Sequence, residues 1–153
     1  MTKEMIQANE LRIGNIVSYN SDMVIGKHVK VGSIENTTRS TGVRVYNGIS
    51  SPRGLHLTGI IPFSDIEPIP LTEEILLKCG FEKIDDMVYY PDKKIRSLYI
   101  NTLILRINTC SNLFEFHFQH RVSSMYENVE VKSLHQLQNL FHALTSKELE
   151  VEL

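Results

Sequence analysis

The stretch "LHQLQNLFHALT", residues 134–145, predicts an amphipathic helix near the end of the chain. At about 100° per residue, one side of this helix collects the apolar side chains Leu134, Leu137, Leu140, Phe141 and Leu144. The opposite side collects the polar side chains His135, Gln138, Asn139 and His142. Ser133 followed by Gln136 is typical of a capping box, so the helix is expected to begin after Ser133. We therefore predict that the apolar side holds the fold and the polar side faces solvent or a partner.

The residues before this helix predict an antiparallel sheet. "LFEFHFQHRV", residues 113–122, alternates phenylalanine with polar residues, which is the clearest strand pattern in the chain. Further strands are predicted at residues 87–90, 95–100 and 102–107, with an edge strand at 125–131. Thr72 as N-cap and Gly80 at the C′ position delimit a short helix. Residues 71–153 are thus predicted to form an α+β lobe with a helix, antiparallel strands and the C-terminal amphipathic helix.

The first part of the chain predicts short strands separated by turns. The strand patterns are "NIVSY" (15–19), "DMVIGKHVKVGSI" (22–34), "GVRVYNG" (42–48) and "LHLTGIIPF" (55–63). Gly26 suits a β-bulge, and Asn47-Gly48 is a turn signal. Residues 9–70 are therefore predicted to form a small SH3-like β-barrel lobe. The fold class expected for the whole chain is α+β.

The composition limits the classes of function that this chain can have. The chain has 153 residues, of which 42% are hydrophobic and 22% charged, which is typical of a globular protein. A net charge of −2 does not indicate a nucleic-acid-binding protein. Neither a signal peptide nor a membrane span is recognisable, so we expect a cytoplasmic protein with reduced thiols. Cys79 and Cys110 lack metal-ligand spacing, so no metal or cofactor is expected, and Cys79 is predicted to be a small buried residue.

A local excess of positive charge in the first lobe predicts an anion site. Five cations lie between residues 27 and 53, where Glu35 is the single acid. Serine, threonine and glycine surround them, and such loops can offer hydrogen bonds to phosphate. Tyr46 could stack on a base, as could Tyr19. The predicted ligand-binding residues are Lys27, Lys30, Arg39, Arg44, Tyr46 and Arg53. The alternative interpretation is an ordinary solvated barrel surface.

No catalytic motif accompanies this anion site. The sequence contains no nucleophile elbow, no Cys–His nucleophile pattern and no paired-carboxylate motif. His117 and Glu115 share one face of their predicted strand, whereas His120 has the opposite parity. A small nucleotide hydrolase that uses His117 and Glu115 is therefore only a second alternative, and we expect a protein that is not an enzyme.

Three segments carry a resemblance to a known group of proteins. They are "ANELRIGN" (8–15), "IEPIPLTEEILLKCGFEK" (66–83) and "LHQLQNLFHALTSKELE" (134–150). Together they resemble small uncharacterised proteins of phages, prophages and mobile elements in gut Bacteroides-type bacteria. The resemblance spans most of the chain and fades over residues 20–60 and 85–130. It implies a phage-related genomic context, and it carries over no catalytic residue.

By analogy, small phage-encoded accessory proteins often counter host defence. The leading hypothesis is a non-enzymatic protein that sequesters a nucleotide-derived immune signal of the cyclic-nucleotide or ADP-ribose type. One small lobe buries little of such a ligand, so a homo-oligomer is expected. The alternative is a protein–protein interaction module that binds a host or phage protein. It would use the helix face formed by His135, Gln138, Asn139 and His142.

Overall fold

The structure, a computed structural model, has an α+β architecture. It describes residues 6–21, 24–46, 58–85, 88–91, 103–108, 113–119 and 126–152. Within these residues the helices are α1 (Glu73–Lys78) and α2 (Leu134–Thr145). The strands of the first sheet are β1 (Ile16–Ser21), β2 (Val24–Asn36), β3 (Thr41–Tyr46) and β4 (Ile66–Glu67). Those of the second are β5 (Phe81–Asp85), β6 (Val88–Pro91), β7 (Leu103–Asn108), β8 (Leu113–Gln119) and β9 (Tyr126–Val131).

The chain divides into two compact units, and each of them is discontinuous in the sequence. The first unit contains Met1–Pro70 and Ser133–Asn139, and the second contains Leu71–Lys132 and Leu140–Glu152. The sequence assigns all of residues 71–153 to one lobe, whereas the first half of α2 groups with the first unit. The first unit is therefore built from two parts of the chain that are far apart in the sequence.

The first unit is organised around an antiparallel sheet of order β3-β2-β1-β4. β2 is the long central strand, and it is in register with β1 at Val17–Val29 and with β3 at Val31–Val45. The inward-facing residues form one buried cluster, to which each fully buried aliphatic side chain contributes roughly 1.5–3 kcal/mol. The cluster consists of Ile6, Leu11, Val17, Val29, Val31, Val43, Val45, Ile61 and Ile66.

Two register irregularities interrupt the pairing of β2. One lies in the pairing with β1, where Lys27 is opposite Tyr19 and Val24 is opposite Ser21. The stretch of β2 between Val24 and Lys27 contains Gly26, the predicted bulge residue. The other lies between Val31 and Ser33. The Asn47-Gly48 turn signal lies outside the described residues.

In the described part of the predicted fourth strand, residues 58–61 lie beside β3. Residues 55–57 lie outside the described part, and Ile61 makes an isolated antiparallel bridge with Val43. Both backbone hydrogen bonds of that bridge are present, from Val43 N to Ile61 O (2.8 Å) and from Ile61 N to Val43 O (2.7 Å). The Thr58 hydroxyl accepts a bond from Val45 N at 3.2 Å. The free edge of β3 is therefore covered by residues 58–61.

The same segment continues to the other edge of the sheet. After a 3-10 helix at Phe63–Asp65, the residues of β4 pair with β1, with Ser18 opposite Glu67 and Tyr19 opposite Ile66. The strand order β3-β2-β1-β4 nevertheless describes an open sheet in the described residues, so a closed barrel is not confirmed.

The second unit combines α1 with an antiparallel sheet of order β5-β6-β7-β8-β9. The predicted boundaries of α1 are confirmed: Thr72 accepts a bond from Ile75 N, and Gly80 has a φ of 80°. β8 covers the predicted phenylalanine alternation, and β9 is an edge strand as expected. β5 was not predicted as a strand, and the predicted strand at 95–100 lies outside the described residues.

Cys79 is buried at the end of α1, as predicted from its apolar neighbours. Burial disfavours the thiolate and raises the pKa of the Cys79 thiol from 9.0 to about 12. Cys110 lies outside the described residues.

This buried thiol is expected to be unreactive in the folded protein. At pH 8, the higher pKa leaves about a thousandfold less thiolate than an ordinary cysteine has. Because the folded-state pKa is the raised one, Cys79 also makes the free energy of unfolding fall as pH rises from 9.0 towards about 12. Maleimide labelling of a Cys110→Ser variant, with and without denaturant, measures the reactivity. Equal labelling rates in the two conditions would contradict the burial of this thiol.

Candidate functional site

The outward face of the first sheet brings two of the predicted ligand-binding residues together. Lys30 of β2 lies directly opposite Tyr46 of β3 in the antiparallel register. Their neighbours Val31 and Val45 point into the core, so Lys30 and Tyr46 lie on the other face. Lys30 is exposed and Tyr46 is half-buried. A cation and an aromatic ring are therefore cross-strand neighbours on an accessible surface.

Arg44 shares this face but is already neutralised. It lies on β3 opposite Ser33, and its Nε donates to Glu35 Oε1 at 2.5 Å. The Arg44 guanidinium holds the pKa of the Glu35 carboxyl below its usual range, and the Ser40 hydroxyl adds a further bond. Arg44 therefore brings no net positive charge to the face, because a carboxylate already occupies it.

Two of the remaining predicted cations, Lys27 and Arg39, lie away from the Lys30–Tyr46 pair. Lys27 is opposite Tyr19 and has the parity of Val29, so it belongs to the core-facing side of β2, where its side chain is exposed. Arg39 is exposed in the loop between β2 and β3, five residue pairs beyond the Lys30–Tyr46 pair. Arg53 lies outside the described residues. Of the predicted ligand-binding residues that the structure describes, Lys30 and Tyr46 are thus direct neighbours, whereas Lys27 and Arg39 are apart from them.

The helix face proposed for a protein partner is largely buried. His135 and Gln138 are each only 2% exposed, so the prediction that they face solvent is wrong. Asn139 is half-buried, and so is His142, whose Nε2 lies 3.9 Å from Glu148 Oε1. The apolar side agrees with the sequence at Leu134, Leu137 and Phe141, which are buried, whereas Leu144 is exposed.

A network of amides explains why Gln138 is buried. Its Oε1 accepts a bond from the backbone N–H of Ile16 at 2.8 Å and lies 3.5 Å from Asn15 Nδ2. Ile16 is opposite Lys30 in β1–β2, and in an antiparallel pair alternate residues direct their N–H groups away from the partner strand. Gln138 therefore provides the acceptor for the Ile16 N–H, which points away from β2.

Asn15 and Asn139 extend the network to the N-terminal segment. Asn15 is fully buried, and its Oδ1 accepts from Arg12 N at 2.7 Å while its Nδ2 donates to Asn139 Oδ1 at 2.9 Å. Asn139 Nδ2 donates to the Glu10 carbonyl at 2.7 Å. Gly14, with a φ of 96°, allows the turn that places Asn15.

The three sequence segments that carry the resemblance meet in this unit. "ANELRIGN" contributes Glu10 and Asn15, and the last segment contributes Gln138 and Asn139. The middle segment joins them through Ile69, whose carbonyl accepts from Leu134 N at 2.9 Å. Ser133 forms an isolated antiparallel β-bridge with Pro70, and its Oγ lies 3.0 Å from His135 Nδ1. Residues of these three segments are therefore joined by hydrogen bonds within the first unit, and Lys30 and Tyr46 lie outside the segments.

The alternative catalytic pair lies on β8. Glu115 is opposite Arg106 of β7 and Glu130 of β9, and His117 is opposite Ile104 and Asn128. His120 lies outside the described residues. Across the described part of the chain, no group of three histidine, cysteine, aspartate or glutamate residues could hold a metal ion.

No protein-family model, no curated protein and no solved structure matches the chain. Among the residues that the structure describes, no helix is both long and apolar enough to cross a membrane.

Proposed function

We propose that this chain is a non-enzymatic binding protein that holds a phosphorylated, base-containing small molecule on its first sheet. The observation that carries the proposal is the cross-strand pair of Lys30 and Tyr46 on an outward face. The Lys30 ammonium offers three donors to a phosphate, and the Tyr46 ring offers a surface on which a base can stack. Stacking of one base on an aromatic ring is worth roughly 1–3 kcal/mol.

The contrast between Lys30 and Arg44 supports this choice of face. Within the described residues, the structure gives the side chains of Lys30 and Tyr46 no hydrogen bond or ion pair, whereas Arg44 is bound to Glu35. A ligand phosphate can thus contact Lys30 without breaking an existing ion pair. A single open face buries little of a ligand, so we propose that two copies enclose it as a homo-oligomer.

The resemblance supplies a biological setting for this proposal. Lys30 and Tyr46 lie within residues 20–60, where the resemblance to phage and prophage proteins fades, while the resembling segments build the amide network. A constant frame with a variable face suits the sequestration of a nucleotide-derived immune signal. The 58–67 segment, which contacts both β3 and β1, supports an SH3-like barrel as the scaffold.

Calorimetric titration with cyclic di-AMP, ADP-ribose and AMP tests the proposal, with adenosine as the phosphate-free comparison. We expect at least one phosphorylated compound to bind, and Lys30→Glu and Tyr46→Ala to weaken its binding about tenfold each. Lys27→Glu is the matched control, because it reverses a charge on the same strand but on the opposite face. Recovery of the intact compound separates binding from hydrolysis.

Two outcomes would reject this function. One is that none of the three phosphorylated compounds binds to the wild-type protein. The other is that Lys27→Glu weakens binding as much as Lys30→Glu does, because the interaction would then follow net charge and not the face.

A further inference from the structure

His28 lies next to the Lys30–Tyr46 pair on the same face. It precedes Lys30 by two residues on β2, a separation of roughly 7 Å along a strand, and it is half-buried. Its cross-strand neighbour is Ser18 of β1. The sequence did not single out His28, although its parity with Lys30 was visible.

Among the residues that the structure describes, few charged groups lie near His28 on this face. Lys30 is the cation that shares the face of His28 on β2, whereas Lys27 lies on the opposite face of that strand, and Tyr46 lies on β3. On β4, Glu67 is opposite Ser18, and its Oε2 accepts a bond from Asn20 Nδ2 at 2.5 Å.

Further along the same face, Glu35 is bound to Arg44. In the part of the chain that the structure describes, the imidazole of His28 has no hydrogen bond or ion pair. It is therefore available to a ligand.

We propose that His28 and Lys30 together form the phosphate end of this site, while Tyr46 takes the base. This inference rests on the proposed function and adds a residue and a pH dependence to it. A protonated imidazole is a cation with two N–H donors. Protonation of the His28 ring therefore gives the phosphate group a second cationic partner beside Lys30, so the affinity for a phosphorylated ligand rises as pH falls. The preferred ligand class is a nucleotide with one phosphate within reach of a stacked base.

The experiment measures the dissociation constant of 3′,5′-cyclic AMP between pH 5.5 and pH 8 by calorimetry. This probe is a phosphodiester, so its own charge stays constant where a phosphate monoester titrates, near pH 6. For the wild-type protein we expect binding to be about fivefold tighter at pH 5.5 than at pH 8. His28→Gln should bind with little pH dependence. Lys30→Gln should bind more weakly at every pH and keep the dependence.

His142→Gln is the matched control, since His142 is a half-buried histidine on α2 and should leave the pH dependence unchanged. Thermal unfolding of each variant verifies that it is folded. Binding that does not vary with pH in the wild-type protein, or a dependence that persists in His28→Gln, would overturn the role of His28 and leave the proposed face intact. Failure of the wild-type protein to bind the probe at any pH would overturn the role of His28. Failure of the wider nucleotide panel as well would remove the proposed function.

Discussion

Gly42→Ala is expected to lower the free energy of unfolding by about 3 kcal/mol, at the upper end of the range for overpacking. A Cβ at Gly42 would overlap the backbone carbonyl of Ile61 and would lie 2.9 Å from Ile60 Cγ2. The carbonyl cannot move away easily, because Ile61 makes two backbone hydrogen bonds with Val43 in the adjoining bridge. The substitution therefore forces residues 58–61 away from β3. Chemical denaturation followed by circular dichroism measures the loss.

Gly59→Ala provides the matched control for this prediction. A Cβ at Gly59 would meet nothing within 4 Å, so the same change should be neutral or stabilise by up to about 1 kcal/mol. Similar stabilities of Gly42→Ala and the wild-type protein would show that residues 58–61 do not lie against β3 in solution.

Gln138→Leu is expected to lower the free energy of unfolding by about 2 kcal/mol. Leucine keeps the size of the side chain and a high helix propensity, so the change removes mainly the hydrogen-bond acceptor. The backbone N–H of Ile16 then loses its 2.8 Å bond inside a buried region. A buried donor without a partner costs more than the net value of one hydrogen bond, which explains the size of the effect.

His142→Leu, in the same helix and only half-buried, is the control for Gln138→Leu and should cost less than about 1 kcal/mol. A double-mutant cycle of Asn15→Ala and Asn139→Ala should add a coupling energy of about 1 kcal/mol, because their side chains are joined at 2.9 Å. Equal losses for His142→Leu and Gln138→Leu would mean that the helix face, and not the backbone N–H of Ile16, determines the stability.

The sequence predicts those helices and strands that depend on residues close together in the chain. Thr72 and Gly80 delimit α1, and the phenylalanine alternation of residues 113–118 identifies β8, because caps and strand parity act over a few residues. β5 escaped prediction, since "FEKID" has no clear alternation of apolar and polar residues. The closure of the barrel, which depends on distant strands, was not confirmed by the open sheet order.

The polar side of α2 could not be interpreted from its own pattern. A glutamine on a helix looks solvated in a helical projection, and Gln138 is buried because its acceptor meets an amide 122 residues away in the sequence. Such pairing leaves no periodic trace in either segment. The proposed binding face depends partly on local and partly on distant information. Strand parity already separates Lys27 from Lys30 and groups His28 with Lys30, but the partner strand that adds Tyr46 required the register.

The discontinuity of the first unit has a consequence for the order of events during synthesis. The ribosome adds Gln138 to the chain 122 residues after Ile16, so the backbone N–H of Ile16 must wait for this stretch of synthesis before its acceptor exists. At translation rates of roughly 5–20 residues per second, this interval lasts on the order of ten seconds. A nascent chain stopped before residue 133 carries the strands of the first sheet without the helix segment that completes their unit. Native folding of this unit therefore cannot be completed before residues 133–139 have been synthesised.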